Sequence, residues 1–258
     1  MKIEDLFSVR GKVVVITGGS RGIGEMIARA YVENGAKVYI SARNAAVCDG
    51  LAAELSKIGT CISIPANLGD MADLTRFAAE IAAREPKVHI LFNNAGASWG
   101  QSFDDFTEAG WDKVMDLNLK SVFFLTQKLV KQLAAAATED DWARVINIGS
   151  IDGMHVSPYE AYSYNASKAG VLHMTRMMAK FLAARNIAVN AIAPGYFPSK
   201  MTAGLDDETV NLTMSETPMR RKGNTDDMAG VALFLGSRAS AYMCGSTVAV
   251  DGGYATTA

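Results

Sequence analysis

Thr17-Gly18-Gly19-Ser20-Arg21-Gly22-Ile23-Gly24 follows the apolar run Lys12–Thr17 and opens the amphipathic stretch Ile23–Asn34. Glycines between a strand and a helix let the chain turn sharply. They also let a pyrophosphate approach the helix N-terminus, where free N–H groups and the helix dipole favour an anion. The spacing is Gly-x-x-x-Gly-x-Gly. A triphosphate-binding P-loop is the rival, because Gly19 and Gly24 have its spacing, but that motif requires lysine next. Glu25 stands there instead and would repel a nucleotide triphosphate. The turn reads as a dinucleotide loop.

Working outward, Val- and Ile-rich runs alternate with helical stretches. Lys12–Thr17, Lys37–Ala42, Cys61–Pro65, Val88–Phe92, Arg144–Ile148, Ile187–Ile192 and Thr247–Val250 are predicted strands, continuously apolar as in a parallel sheet covered on both faces. Ile23–Asn34, Ala45–Lys57, Met71–Arg84, Trp111–Ala137, Ser163–Ala184 and Asp226–Leu235 are the predicted helices, with stops at Asn34-Gly35 and Asn186. Strict β-α alternation with this first turn specifies a Rossmann-like, doubly wound, seven-stranded parallel sheet with helices on both faces. A chain of 258 residues fits it as a single domain, residues 1–258. Its cofactor-binding half is expected over about 1–150, its catalytic and substrate half over about 150–258, with a lid near 196–222.

Charge chooses the dinucleotide. NAD sites place an acid about 20 residues on, against the ribose 2′-hydroxyl. Here the second strand ends Ile40-Ser41-Ala42-Arg43-Asn44, without an acid, and Arg21 and Arg43 are placed to hold a 2′-phosphate. NADP(H) is the expected cofactor.

Tyr164 and Lys168 lie four residues apart in a predicted helix, so they share a face. An ammonium beside a phenol favours phenolate, which is expected to lower the tyrosine below its normal value near ~10 and make it a general acid. A second Tyr-x-x-x-Lys, Tyr196 to Lys200, contains Pro198 and cannot be one continuous helix.

Lysine plus arginine (25) nearly balances aspartate plus glutamate (27), giving no sign of a nucleic-acid surface. No run of about 18 apolar residues exists, so no membrane span is expected. Cys48, Cys61 and Cys244 are scattered and read as reduced thiols of a cytoplasmic protein. His89, His155 and His173 lack metal-ligand spacing, and no metal is expected.

In combination these residues resemble the short-chain dehydrogenases/reductases across essentially the whole chain, from Gly11-Lys12 to Asp251-Gly252-Gly253. The marks are Thr17–Gly24, Asn93-Asn94-Ala95-Gly96, Asn118, Ser150, Tyr164 with Lys168, and Pro194-Gly195. The resemblance implies Tyr164 as proton donor and Ser150 as hydrogen-bond partner of the substrate carbonyl oxygen. It implies that Lys168 bonds the nicotinamide ribose, and that Asn118 positions a relay water. It places Gly18, Ser20, Arg21, Gly22, Ile23, Gly24, Arg43, Asn67, Leu68, Asn94, Ala95, Gly96, Pro194 and Gly195 along the cofactor cleft, beside Tyr164 and Lys168. Two departures stand out: Asn67 replaces the family's usual aspartate, and the Ser150–Tyr164 interval is one residue longer than usual.

Within the family, the chain is most similar to β-ketoacyl reductases of the rhamnolipid-associated branch, through Ala97-Ser98-Trp99-Gly100, Ile146–Ser150, Ala193–Thr202 and Ala241–Gly245. The implied activity is NADPH-dependent reduction of a 3-oxoacyl-like ketone to the 3-hydroxy product, with a small-molecule ketone or alcohol, an acyl thioester included, as the substrate class. Sugar, polyol or steroid alcohols and a non-catalytic NADP-binding regulator stay open as alternatives. Met201, Leu205, Leu212, Met214 and Met219 in the lid suit an adaptable apolar pocket. Glu139-Asp140-Asp141 argues against an acidic carrier-protein partner. A homo-tetramer or homo-dimer is implied, with Val122, Phe123, Phe124, Leu129, Met174 and Met177 supplying apolar surface for the paired long helices.

Overall fold

The computed structural model describes residues 2–199, 202–203, 207–255 and 257. After the short helix α1 (Ile3–Leu6), strand β1 (Val13–Thr17) leads through the glycine turn into α2 (Gly22–Glu33). There follow β2 (Lys37–Ser41), α3 (Ala45–Leu55), β3 (Thr60–Ser63), α4 (Met71–Arg84) and β4 (Ile90–Asn93). The second half runs α5 (Glu108–Met115), a π-turn (Asp116–Lys120), α6 (Ser121–Ala136), β5 (Ala143–Ile148), α7 (Tyr162–Leu182) and β6 (Ile187–Pro194). It closes with α8 (Asp207–Glu216), α9 (Thr225–Gly236) and β7 (Thr247–Val250).

All strand pairs are parallel, and the sheet order is β3-β2-β1-β4-β5-β6-β7. Alternation along each strand divides the core in two. Val14, Ile16, Val38, Ile40, Ile146 and Ile148 face a layer that includes Ile27 and Tyr31 of α2, Leu51 of α3 and Leu235 of α9. Val13, Val15, Tyr39 and Val145 face Leu74 and Phe77 of α4, Leu129 of α6 and Met178 of α7. Both faces of β1 are therefore dry, which explains its unbroken apolar run. Winding reverses between β1 and β4, so the loops after these strands diverge and open a crevice at their carboxyl ends.

The predicted elements hold, with local differences. Trp111–Ala137 begins earlier, at Glu108, because Thr107 Oγ1 accepts from Gly110 N at 3.2 Å and caps it. It is also broken by the π-turn around Asn118. Strand β6 runs on to Pro194, whose missing N–H is harmless at a strand end. α8 lies where the sequence was read as lid; its stretch Asp207–Glu216 is mostly polar and shows no apolar stripe. Asn34 and Asn186 end their helices as expected, Asn186 at a left-handed φ of 55°.

Val122 and Leu129 are 4% and 0% exposed and pack inside the subunit, so they supply no free surface. Phe123 and Met177, at 42% and 48%, do stand out, together with Trp111 and Phe181.

A polar ladder crosses the sheet centre. Asn93 Nδ2 donates to Asn147 Oδ1 at 2.9 Å and to Thr126 Oγ1 at 3.1 Å, and Asn147 Nδ2 donates to Thr175 Oγ1 at 2.9 Å. It locks β4 and β5 to α6 and α7. Asn147→Ala strips two buried partners at once, and should cost about 2–3 kcal/mol in chemical denaturation. A loss below about 0.5 kcal/mol, the size of an ordinary surface change, would show that the ladder does not hold these elements.

Candidate active site

The glycine turn is built so that nothing but backbone fits. Gly18 and Gly22 take left-handed φ values of 63° and 55°. A Cβ on Gly24 would lie 2.2 Å from the Gly18 carbonyl oxygen and 2.5 Å from Asn94 Nδ2. No side chain caps α2, whose N-cap is Arg21, so its first N–H groups stay open to an anion. Ser20 is buried, and Ile23 packs half-buried against the core.

Asn94 fastens this turn to β4. Its Nδ2 donates to Thr17 O at 2.8 Å and to Gly18 O at 3.1 Å, while Thr17 Oγ1 accepts from the N–H groups of Asn94 and Ala95, each at 2.9 Å. Asn94 thus spends its amide on the protein. Thr17 completes the clamp; the sequence reading quoted it without giving it a role. Gly96 sits 3.4 Å, by its missing Cβ, from Asn118 Oδ1 and 3.7 Å from Lys168 Nζ.

Gly19 N donates to Ser41 O at 3.0 Å, which brings the end of β2 beside the loop. Arg43 follows directly, and Asn44 caps α3 by accepting from Val47 N at 3.2 Å. Arg21 and Arg43 are both exposed, and neither has a hydrogen-bond or ion-pair partner among the described residues. Asn67 is exposed with its N–H held by Asp73, and Leu68 beside it is buried. Pro194 ends β6, and Gly195 faces Asp251 so closely that a Cβ would come within 2.7 Å.

Across the crevice, Ser150 ends the strand β5 loop and caps the 3-10 turn Ile151–Gly153. Its Oγ accepts from Asp152 N at 3.1 Å. Gly153 lets this turn lie against α7 at Lys168, where any Cβ would be 2.7 Å from the lysine carbonyl carbon. Tyr164 and Lys168 project from the same face of α7, with Nζ 5.5 Å from the tyrosine ring centroid and 2.8 Å from Ile148 O. Asn118 is 1% exposed; it donates to Ala97 O at 2.9 Å and Ser167 Oγ at 3.0 Å and accepts from Ala97 N at 2.8 Å. Both its amide hydrogens are committed. Ser167, which the sequence reading passed over, anchors it to α7.

Burial pushes the Tyr164 phenol up to about 12, with the Ser150 hydroxyl opposing and the Asp152 charge adding. The same burial holds Lys168 down to about 8, against the pull of Asp152. The expected depression of the tyrosine is therefore absent in the chain by itself. By the pH at which the phenol would titrate, the lysine has already lost its charge, so it offers no cation to stabilise phenolate.

Of the second Tyr-x-x-x-Lys pair, only Tyr196 lies among the described residues. Tyr196 has Lys222 over its ring at 5.3 Å; Lys200, Met201 and Leu205 lie outside the described residues. Tyr196, Phe197, Met214, Thr217, Met219 and Gly252 line a cavity of about 310 Å³ at the carboxyl ends of β6 and β7. Leu212 is instead exposed. Glu139-Asp140-Asp141 precedes β5, at the opposite end of the sheet from the site, and Asp141 is tied to Lys12 and Arg144. That run has no bearing on who docks at the site mouth.

A doubly wound sheet with an open helix N-terminus on one side of its crevice and a serine–tyrosine–lysine cluster on the other defines a dinucleotide-dependent oxidoreductase. The family model described as enoyl-(acyl carrier protein) reductase matches residues 18–255. The chain is 43% identical to the rhamnolipids biosynthesis 3-oxoacyl-[acyl-carrier-protein] reductase of Pseudomonas aeruginosa, over 96% of this chain and 98% of that protein. It is 35% identical to a galactitol 2-dehydrogenase (L-tagatose-forming) of Cereibacter sphaeroides, over 98% and 99%. The solved Pseudomonas aeruginosa RhlG/NADP active-site complex superposes with a TM-score of 0.94 at 42% identity, covering 97% of this chain and 99% of that one. The chain belongs to the short-chain dehydrogenase/reductase family.

Proposed function

We propose that this chain is an NADPH-dependent carbonyl reductase in which Tyr164 protonates the oxygen of a ketone. The observation that carries the reading is the convergence of Ser150, Tyr164 and Lys168 opposite the open N-terminus of α2. The residues fit a dinucleotide: the turn has no room for side chains, and two arginines without partners flank the adenosine side. When bound, the reduced nicotinamide supplies the hydride. Ser150 Oγ accepts from Asp152 N, and its hydroxyl, which also meets Tyr164, can turn its hydrogen to a bound ketone oxygen. Lys168 uses one of its three hydrogens on Ile148 O and keeps two for a bound acceptor. Any such acceptor favours the ammonium and thereby lowers Tyr164 toward working pH. Asn118 holds the wall of the cleft between Ala97 and Ser167, with a relay water to Lys168 assigned to the same wide turn.

Residues up to about 150 form the cofactor half and those beyond it the substrate half. The lid assigned near 196–222 contributes Met214 and Met219 to the cavity wall, and these suit a 3-oxoacyl chain. The galactitol dehydrogenase relative keeps a polyol or sugar ketone as the second reading. No helix among the described residues is long and apolar enough to cross a membrane; we place the protein in the cytoplasm. We also propose a dimer or tetramer paired through Phe123, Met177, Trp111 and Phe181, which leave apolar area that a monomer would expose.

Consumption of NADPH over a panel of 3-oxoacyl thioesters, sugar ketones and steroid ketones would rank the substrates. Tyr164→Phe keeps the ring and removes the proton, so turnover should fall by about 10²–10⁴-fold while NADPH still binds. Tyr196→Phe should leave the acid step intact; equal activity in wild type and Tyr164→Phe would sink the mechanism. Arg43→Asp should weaken NADPH about tenfold or more, the loss of one charge-assisted bond, and shift preference toward NADH. Equal affinity for NADH and NADPH in the unaltered chain would remove that argument. Sedimentation at micromolar concentration should give an oligomer, and a monomer there would refute the paired helices.

A further inference from the structure

Ser150, Tyr164 and Lys168 share their surroundings with a carboxylate that no step above uses. Asp152 stands in the turn that Ser150 caps, and the next residue, Gly153, presses directly on Lys168 of α7. The turn is thus pinned at both ends to residues assigned to the reaction. His155 reaches back along the same loop, with Nε2 3.8 Å from Asp152 Oδ1. Its Nδ1 lies 2.8 Å from Val156 O. A carbonyl can only accept, so Nδ1 carries a hydrogen and the neutral ring has a bare Nε2. That nitrogen is buried without a hydrogen-bond partner, and it faces a second acceptor. A buried acceptor set opposite a partly exposed carboxylate is satisfied when a proton lies between them.

We propose that Asp152 and His155 share one proton beside Ser150, Tyr164 and Lys168, and that Asp152 is a positioning residue whose charge, when that proton leaves, holds the protons of the tyrosine and the lysine in place. Burial favours this state, since it raises the Asp152 carboxyl from its ordinary value, against the pull of His155, the Ser150 hydroxyl, Lys168 and the Ser157 hydroxyl. The Asp152 charge in turn acts upward on both Tyr164 and Lys168. The other groups facing the pair are Tyr159 of the same loop, Tyr254 of the C-terminal segment and Glu216 of α8. Tyr254 sets its edge against the His155 ring at 5.3 Å and donates to Glu216 Oε2 at 3.1 Å. Burial and Glu216 push Tyr254 up to about 12, so it stays neutral and leaves the balance to Asp152 and His155.

With its proton the pair is neutral; without it the pair carries one negative charge. Tyr164 then releases its proton only at higher pH. For the reductase proposed above, on which the kinetic consequence rests, activity should extend further into the alkaline range than it would without Asp152. The alkaline limb of kcat/KM should move about one pH unit lower in Asp152→Asn, the order of shift that removing one nearby charge produces. Asp152→Ala, which leaves no polar atom to satisfy, should give the same shift if the amide disturbs folding. His155→Gln keeps the carboxylate and should leave the limb in place.

A second measurement needs no substrate. Ultraviolet titration of phenolate in Asp152→Asn and in the unaltered chain, each set against its Tyr164→Phe counterpart, should show Tyr164 ionising earlier in the variant. A limb and a phenolate titration that stay put, or that shift equally in Asp152→Asn and His155→Gln, overturn the inference. A phenolate that moves while no ketone is reduced keeps the electrostatic assignment and defeats the reductase reading instead.

Discussion

The carboxyl end of the sheet depends on one amide. Asn94 Nδ2 spans the carbonyl oxygens of Thr17 and Gly18, and so ties the loop after β4 to the loop after β1 where the winding reverses. Parallel strands do not bond to each other beyond their ends, and two loops that diverge there have no ladder to align them. The amide supplies that alignment. It also explains why Gly24 admits no side chain: the first turn of α2 is drawn in until it touches both the carbonyl and the amide. The open N–H groups of the helix are aimed by this contact.

Behind it, the polar ladder Asn93–Asn147–Thr175 connects the same strand end to α7, two turns beyond Lys168. Buried side-chain amides are costly unless every hydrogen finds an acceptor, so this ladder admits one arrangement of β4, β5 and α7. Asn118 and Ser167 repeat the device one layer nearer the crevice. The catalytic side of the site therefore rests on neutral hydrogen bonds between small side chains, which do not loosen with salt or pH.

Much of this was legible in the residues. The β-α alternation, the glycine turn and the Tyr164–Lys168 face depend on local spacing, and spacing is what a sequence displays. What escaped depends on contacts between distant segments. Thr17 looks like an ordinary strand-end hydroxyl and Ser167 like an ordinary helix hydroxyl until Asn94 and Asn118 are placed beside them. α8 lacked an apolar stripe, so no period announced it. Glu139-Asp140-Asp141 seemed to repel a partner at the site, yet strand direction sends it to the far end, where Asp141 neutralises Lys12 and Arg144. The tyrosine's acidity failed as a local argument for a related reason. Proximity of a lysine is visible in sequence, whereas burial that raises the tyrosine and brings the lysine down to about 8 is not.

Among the described residues, Met214 of α8 reaches the cavity wall, and Glu216 meets Tyr254 of the C-terminal segment. Among the described residues the helix carries no strand register and no part of the ladder. Changes in this helix away from Glu216 would reshape what the cavity accepts while sparing both. Substitutions among these ten residues can therefore retune what such a chain accepts while its sheet and ladder stay as they are.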